Sequence, residues 1–281
     1  MSRIVFWREI ALAAALFLSP TAFAATPQWC NAPPGWTAIL QPLERTAARI
    51  NAGEPLNIVA IGSSSTVGVG ATGPEQAYPS QLQAALSAHF PGLDIHVINR
   101  GISGQDAPEE VARLSADVVA LHPDLVIWQV GTNAVLRRDD LSADGGWMRE
   151  GVALLKDADI DIVLMDLQYA PRVLDRSSFS VMEDLIADTA NDAHVGLFRR
   201  FALMRYWQRA HPAEAPVMIG ADGLHMTDIG YGCLAANLAA ALEANWQSGE
   251  KLARRAHGGT DAIARLKQEP FGEFDRWPGP P

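Results

Sequence analysis

Apolar residues along the chain fall into two alternating patterns. Short runs dense in apolar and β-branched residues occupy 56–61 (LNIVAI), 94–99 (DIHVIN), 125–130 (LVIWQV), 161–166 (DIVLMD) and 195–200 (VGLFRR). The first, third and fourth are nearly continuous, as strands buried on both faces are. Between the runs, apolar residues recur three and four apart, which predicts helices. These stretches are 75–90, with Pro79 in the first turn, 107–121, 145–158 and 178–193. A further helical pattern runs from Trp36 to Ala52 through Ile39, Leu40, Leu43, Ala47 and Ile50, and stops at Asn51–Gly53. The last is 227–246 (TDIGYGCLAANLAAALEANW). Residues 25–35 read as an irregular arm, and the chain turns polar after Trp246, with a Pro/Gly-rich end.

Strand and helix in alternation predict a parallel sheet with helices on both faces. In such folds ligands bind at the carboxyl ends of the strands. The informative loops are therefore GSSST after the first run, RGISGQD after the second, GTNA after the third and LQYAPR after the fourth. They carry hydrogen-bonding side chains and suit polar chemistry better than redox chemistry.

The N-terminus reads as a targeting segment. Arg3 and Arg8 precede an apolar stretch, and Ala22–Ala24 fits a small-x-small cleavage site. The alternatives are a membrane anchor or a buried helix; the run is short for a span and carries Pro20. The expected organisation is a signal peptide over 1–24, an arm and helix over 25–55, a main domain over 56–248 and a polar tail over 249–281. The implied location is periplasmic or secreted, with no stable membrane anchor after cleavage.

Composition narrows the partners. Hydrophobic residues make up 48% of 281, enough for a sizeable core, and the formal net charge is −10. An acidic body repels phosphate backbones, so nucleic acid is excluded as an expected partner. The only cysteines are Cys30 and Cys233, too few for a four-cysteine metal site. In an oxidising compartment they form one disulfide, worth about 5 kcal/mol by chain entropy, or else stay as two buried thiols.

Two motifs point away from cofactors. Gly68-Val69-Gly70-Ala71-Thr72-Gly73 spells G-x-G-x-x-G, but it starts late after the strand and Pro74 follows, so a flexible loop explains it better than a dinucleotide site. The seven histidines include no H-E-x-x-H, and 157–161 (DADID) lacks the glycine and terminal glutamate of a calcium loop. No metal and no organic cofactor is expected.

Nucleophilic catalysis fits better. A serine hydroxyl needs a histidine to take its proton and an aspartate to orient that histidine. Serines stand at the first strand end, and Asp222-x-x-His225 lies before the last helix. Alone, that pair reads first as a turn with an N-terminal cap rather than as a catalytic pair. The elbow G-x-S-x-G is absent, because Thr66 stands at its second glycine.

At this point the residues resemble the SGNH (GDSL-type) esterase/lipase superfamily. IGSSSTVG, NRGISGQDA, GTN and DGLHMTDIGY match its four blocks in order over about residues 56–232. The resemblance implies a flavodoxin-like three-layer α/β/α sandwich with a five-stranded parallel sheet, in agreement with the strand–helix reading. It implies Ser64 as nucleophile, His225 as general base and Asp222 as its orienting partner. It also implies oxyanion donors at the Ser64 and Gly104 backbone N–H groups and the Asn133 side chain. Two positions depart from the pattern: Ser63 and Ala134 stand where aspartates are usual.

The activity implied is serine carboxylic-ester hydrolysis on short-chain or carbohydrate acyl esters. Acyl transfer to sugar hydroxyls and a non-catalytic glycan-binding relative are the alternatives. Tyr169, Tyr206 and Trp207 are expected as aromatic pocket walls or as packing residues. A histidine base must be neutral, and free imidazole titrates near about pH 6.5, so activity should rise through about pH 6–7.

Overall fold

A computed structural model describes residues 26–137 and 141–256. The expected signal peptide over 1–24, and residues 257–281 of the tail expected over 249–281, lie outside the described residues.

The five apolar runs form one parallel sheet: β1 Leu56–Gly62, β2 Ile95–Gly101, β3 Leu125–Gln129, β4 Asp161–Met165 and β5 Gly196–Phe198, in the order β2-β1-β3-β4-β5. Strand side chains alternate between faces. In β1, Ile58 and Ala60 enter one core, and Val59 and Ile61 enter the other. All four are fully buried, which is why the run shows no polar alternation.

Ten helices accompany the strands among the described residues: α1 Glu44–Ala52, α2 Ser64–Val67, α3 Tyr78–His89, α4 Ala107–Asp117, α5 Thr132–Arg137, α6 Asp144–Asp157, α7 Pro171–Leu174, α8 Phe179–Ala193, α9 Arg200–Ala210 and α10 Asp228–Ala256. Residues of α3, α9 and α10 fill the core of the first face, including Leu82, Leu203 and Leu238. Residues of α4, α6 and α8 fill the other, including Leu114, Met148 and Ile186. The result is the three-layer sandwich expected from the alternation. Asp106 and Glu109 start α4 with a reciprocal capping box. The last helix runs on past Trp246 to Ala256, since no proline interrupts it.

One element differs from its sequence pattern. The helix expected from Trp36 begins only at Glu44. Pro42 biases Gln41 away from helical dihedrals, and the segment before α1 instead runs as a strap over α10. Its backbone groups are satisfied by one side chain. Asn245 Nδ2 donates to the carbonyls of Ile39 and Gln41 at 2.8 Å each, and Asn245 Oδ1 accepts from the Leu43 N–H at 3.1 Å. Ile39 and Leu43 are buried while Leu40 stays exposed. Their spacing is helical in sequence, but the backbone that carries them is not. A Cys30–Cys233 disulfide, with Cα atoms 5.3 Å apart, fastens the arm to α10.

Candidate active site

The site lies at the carboxyl end of the sheet. The chain leaves β1 at Gly62, turns at Ser63 and enters the short helix α2 with Ser64 as its first residue. A first helical residue has a free backbone N–H, which points outward from the helix start. Far along the chain, just before α10, a tight turn closes with the Gly223 N–H on the Gly220 carbonyl at 3.0 Å. The Gly220 N–H donates to the His225 carbonyl at 2.9 Å. Within the turn, Asp222 Oδ1 accepts the backbone N–H groups of Leu224 and His225 at 3.0 Å each.

These two loops bring three side chains into line. His225 Nε2 is 2.8 Å from Ser64 Oγ, and His225 Nδ1 is 2.5 Å from Asp222 Oδ2. With Nδ1–H donating to the carboxylate, Nε2 is free to accept the serine proton. Desolvation pushes the Asp222 carboxyl up. The His225 hydrogen bond and the two backbone N–H groups outweigh it and hold the carboxyl below its ordinary value. The pair is only partly shielded, with the Asp222 side chain 45% and the His225 side chain 14% exposed.

The other sequence-predicted residues stand at the ends of the two strands that flank β1. Gly104 sits in the turn after β2 with φ +85°, a left-handed conformation that side chains disfavour. Its carbonyl accepts from the Arg137 guanidinium. Asn133 lies in the first turn of α5, and its Nδ2 donates to the Gln105 carbonyl at 2.8 Å, next to Gly104. Ser64 N–H, Gly104 N–H and Asn133 Nδ2 therefore belong to three neighbouring strand ends.

Comparison with known proteins gives the chain a family. A family model for the Non-GDSL lipase-like family matches residues 29–248. The chain belongs to that family. An arylesterase from Vibrio mimicus is 30% identical over 151 residues, 54% of this chain and 70% of that protein. An acetylxylan esterase from Geobacillus stearothermophilus is 33% identical over 96 residues, 34% of this chain and 42% of that protein. A solved two-domain esterase active on acetylated mannans, co-crystallized with mannopentaose, shares the fold with a TM-score of 0.64 at 22% identity. That match covers 75% of this chain and 56% of the other. This non-GDSL chain is a carboxylic ester hydrolase of the SGNH type.

As a non-GDSL chain it holds the Ser63–Ser65 turn without the usual aspartate. Gln129, the last residue of β3, does so. Its Oε1 accepts from Ser63 N–H, Ser63 Oγ and Ser65 Oγ at 3.0 Å each, and from Thr66 Oγ1 at 3.3 Å. Sequence reasoning passed over Gln129; its signal was a lone amide at the end of an otherwise apolar strand. Arg200, just after β5, is the second residue passed over. It is fully buried behind the turn and donates from Nη1 to Ser65 Oγ at 3.1 Å. Ala134 is buried in the second apolar core, where a carboxylate would need a partner.

The aromatic walls expected around the pocket divide. Trp207 is fully buried in the core under the N-terminal arm, and its Nε1 donates to the Cys30 carbonyl at 2.6 Å. Tyr206 packs on Trp36, with ring centroids 5.3 Å apart. Helical spacing on α9 turns Leu203, Met204 and Trp207 inward together, so Trp207 packs in the core. Tyr169 lies in the loop after β4, edge-on to Phe201 at 5.1 Å. Among the described residues no group of three histidine, cysteine or acidic side chains is placed to hold a metal ion, and no helix is long and apolar enough to cross a membrane.

Proposed function

We propose that this protein hydrolyses acetyl and other short acyl esters of carbohydrates through a Ser64 acyl-enzyme. The line of hydrogen bonds Ser64 Oγ–His225 Nε2 and His225 Nδ1–Asp222 carries the reading. His225 takes the Ser64 proton as Oγ attacks the ester carbonyl. Asp222 keeps Nδ1 protonated and stabilises the imidazolium that forms. The negative charge on the carbonyl oxygen falls to the Ser64 and Gly104 N–H groups and Asn133 Nδ2, each such donor worth about 10²–10³ in rate. His225 then protonates the leaving alcohol, water attacks the acyl carbonyl with His225 as base, and the carboxylic acid leaves.

The carbohydrate part of the reading is supported by the acetylxylan esterase relative and by the fold shared with an esterase active on acetylated mannans. Export to an oxidising compartment is supported by the Cys30–Cys233 disulfide and by the N-terminal targeting pattern.

A p-nitrophenyl ester chain-length series, run beside acetylated xylo- and manno-oligosaccharides, tests both parts. The wild type should release acetate from the oligosaccharides and favour acetyl over longer p-nitrophenyl esters. Ser64→Ala should abolish both activities and lose labelling by a fluorophosphonate. Ester hydrolysis that survives in Ser64→Ala would overturn the mechanism, and acetate release from no oligosaccharide would overturn the substrate.

A further inference from the structure

Behind the candidate site lies a buried polar chain that the reaction as described does not use. It starts at Gln129 Oε1, which accepts from Ser65 Oγ at 3.0 Å. Ser65 Oγ in turn accepts from Arg200 Nη1 at 3.1 Å. The same guanidinium donates from Nη2 to Gln168 Oε1 at 2.9 Å, and that oxygen also accepts from Thr132 Oγ1 at 2.9 Å. Arg200 is anchored by two further bonds, Nε at 3.0 Å and Nη2 at 2.6 Å, to the Asp166 carbonyl at the end of β4. Ser65, Gln129, Thr132, Gln168 and Arg200 are all buried.

The donor directions are consistent along the whole chain. The Ser65 hydroxyl gives its proton to Gln129 and so offers a lone pair to Arg200. Two members of the chain are adjacent in sequence to the groups that matter. Ser65 follows Ser64, and Thr132 precedes Asn133. A fully buried guanidinium is costly to desolvate, and it is retained where its planar fork satisfies several acceptors at once. Here the fork spans the nucleophile turn on one side and the start of α5 on the other.

We propose that Arg200 is a positioning residue that sets the spacing between the Ser64 turn and the Asn133 donor, through Ser65 on one side and Gln168–Thr132 on the other. The proposal rests on the reading of Ser64 and Asn133 given above. It assigns Ser65 a role too: its hydroxyl is the joint between the turn and the bridge. Displacement of a reacting group by about 1 Å can cost about 10² in rate, so a bridge that fixes this spacing acts on turnover more than on substrate affinity. Lysine, with one charged centre and no planar fork, cannot reproduce it.

A double-mutant cycle on Ser65→Ala and Thr132→Val, read as kcat and KM on p-nitrophenyl acetate well below each variant's Tm, tests the bridge. Each single change should lower kcat about tenfold with KM within about twofold, and the double variant should be no slower than the slower single. In an Arg200→Lys background, neither change should lower kcat further. Rate losses that multiply in the wild-type background, or variants that lose Tm but keep kcat, would overturn the proposal. If Arg200→Lys does not fold, the wild-type cycle alone decides. Ser64→Ala separates the two readings. An inactive Ser64→Ala beside a non-coupled cycle overturns the Arg200 bridge alone, whereas an active Ser64→Ala overturns the bridge together with the site it serves.

Discussion

The Tyr231 hydroxyl donates to the Val69 carbonyl at 2.7 Å and so ties the last helix to the loop that follows Ser64. Thr72 repeats the link: its N–H and hydroxyl donate to the Asp228 carboxylate at 2.8 and 2.6 Å. The loop that spells G-x-G-x-x-G is thus fastened over the His225 turn. Its middle glycine, Gly70, serves a close approach of backbone to backbone.

Gly70 is the position where this approach is tightest. It has φ +94°, and a Cβ there would lie 2.4 Å from the Met226 carbonyl oxygen and 3.1 Å from His225 Cβ. Gly70→Ala must move either its own loop or the His225 turn. Steady-state kinetics should show kcat down by about tenfold or more, and thermal melting a loss of about 1–3 kcal/mol. Wild-type kcat in a folded Gly70→Ala would show that the contact does not position His225.

Asp222→Asn keeps the shape of the turn but removes the charge that holds Nδ1 protonated. On p-nitrophenyl acetate it should lower kcat by about 10²–10⁴ and leave KM near wild type. Because Asp222 is held below the ordinary carboxylate value, it stays ionised until the pH falls through that lowered value. Asp222 therefore does not set a loss of activity in the ordinary carboxylate range. A wild-type rate in Asp222→Asn would remove Asp222 from the mechanism.

Asn133→Ala removes one of the proposed oxyanion donors from a folded start of α5. The expected cost is about 10²–10³ in kcat with little change in KM, read from initial rates on the same ester. An equal loss in Tm and none in kcat would mean that the bond from Asn133 to the Gln105 carbonyl is structural only.

Stability should depend on pH through Glu110. Burial pushes its carboxyl up from 4.5 to about 8, against the Trp128 N–H and Arg113, which lower it. Trp128 Nε1 donates to one of its oxygens at 2.7 Å, and the other oxygen is buried without a partner. The folded protein therefore holds a proton there that the unfolded chain releases above about pH 4.5. The contribution is complete below the unfolded value and is lost as the pH rises through about 8. Urea midpoints should fall from about pH 5 to about pH 8, and less steeply in Glu110→Gln. Asp166 and Glu183, also raised by burial, keep part of the slope in that variant. An unchanged slope in Glu110→Gln would rule out Glu110 as its source.

The disulfide should be a large part of the fold's stability. It joins residues 203 apart in sequence, and the chain-entropy model gives about 5 kcal/mol for a loop of that size. Urea unfolding of Cys233→Ser, or of the wild type under reductant, should show a loss of several kcal/mol. A loss under about 1 kcal/mol would mean that the arm is held by packing and by the Trp207 and Asn237 bonds to the Cys30 carbonyl.

The sequence by itself determined the layers. Runs such as 56–61 and 125–130 are apolar throughout because both faces of the sheet are covered, and burial of that kind is written locally. The places to look for chemistry followed, since parallel strands put their next residues on one edge. Choosing Ser64 from three serines needed the family resemblance, because strand periodicity does not distinguish them. Other features were decided only in three dimensions. That the G-x-G-x-x-G loop lies on the His225 turn depends on partners about half the chain away. The sequence left Trp207 open between a pocket wall and a packing residue; in the fold it is core, because the N-terminal arm closes over it. The missing aspartate at Ser63 was visible at once, but its replacement was not. Gln129 lies 66 residues away, and nothing local in β3 says which loop its amide will meet until the strands pair. A side chain's own neighbours in sequence fix its periodicity; its hydrogen-bond partners are fixed only when the chain closes on itself.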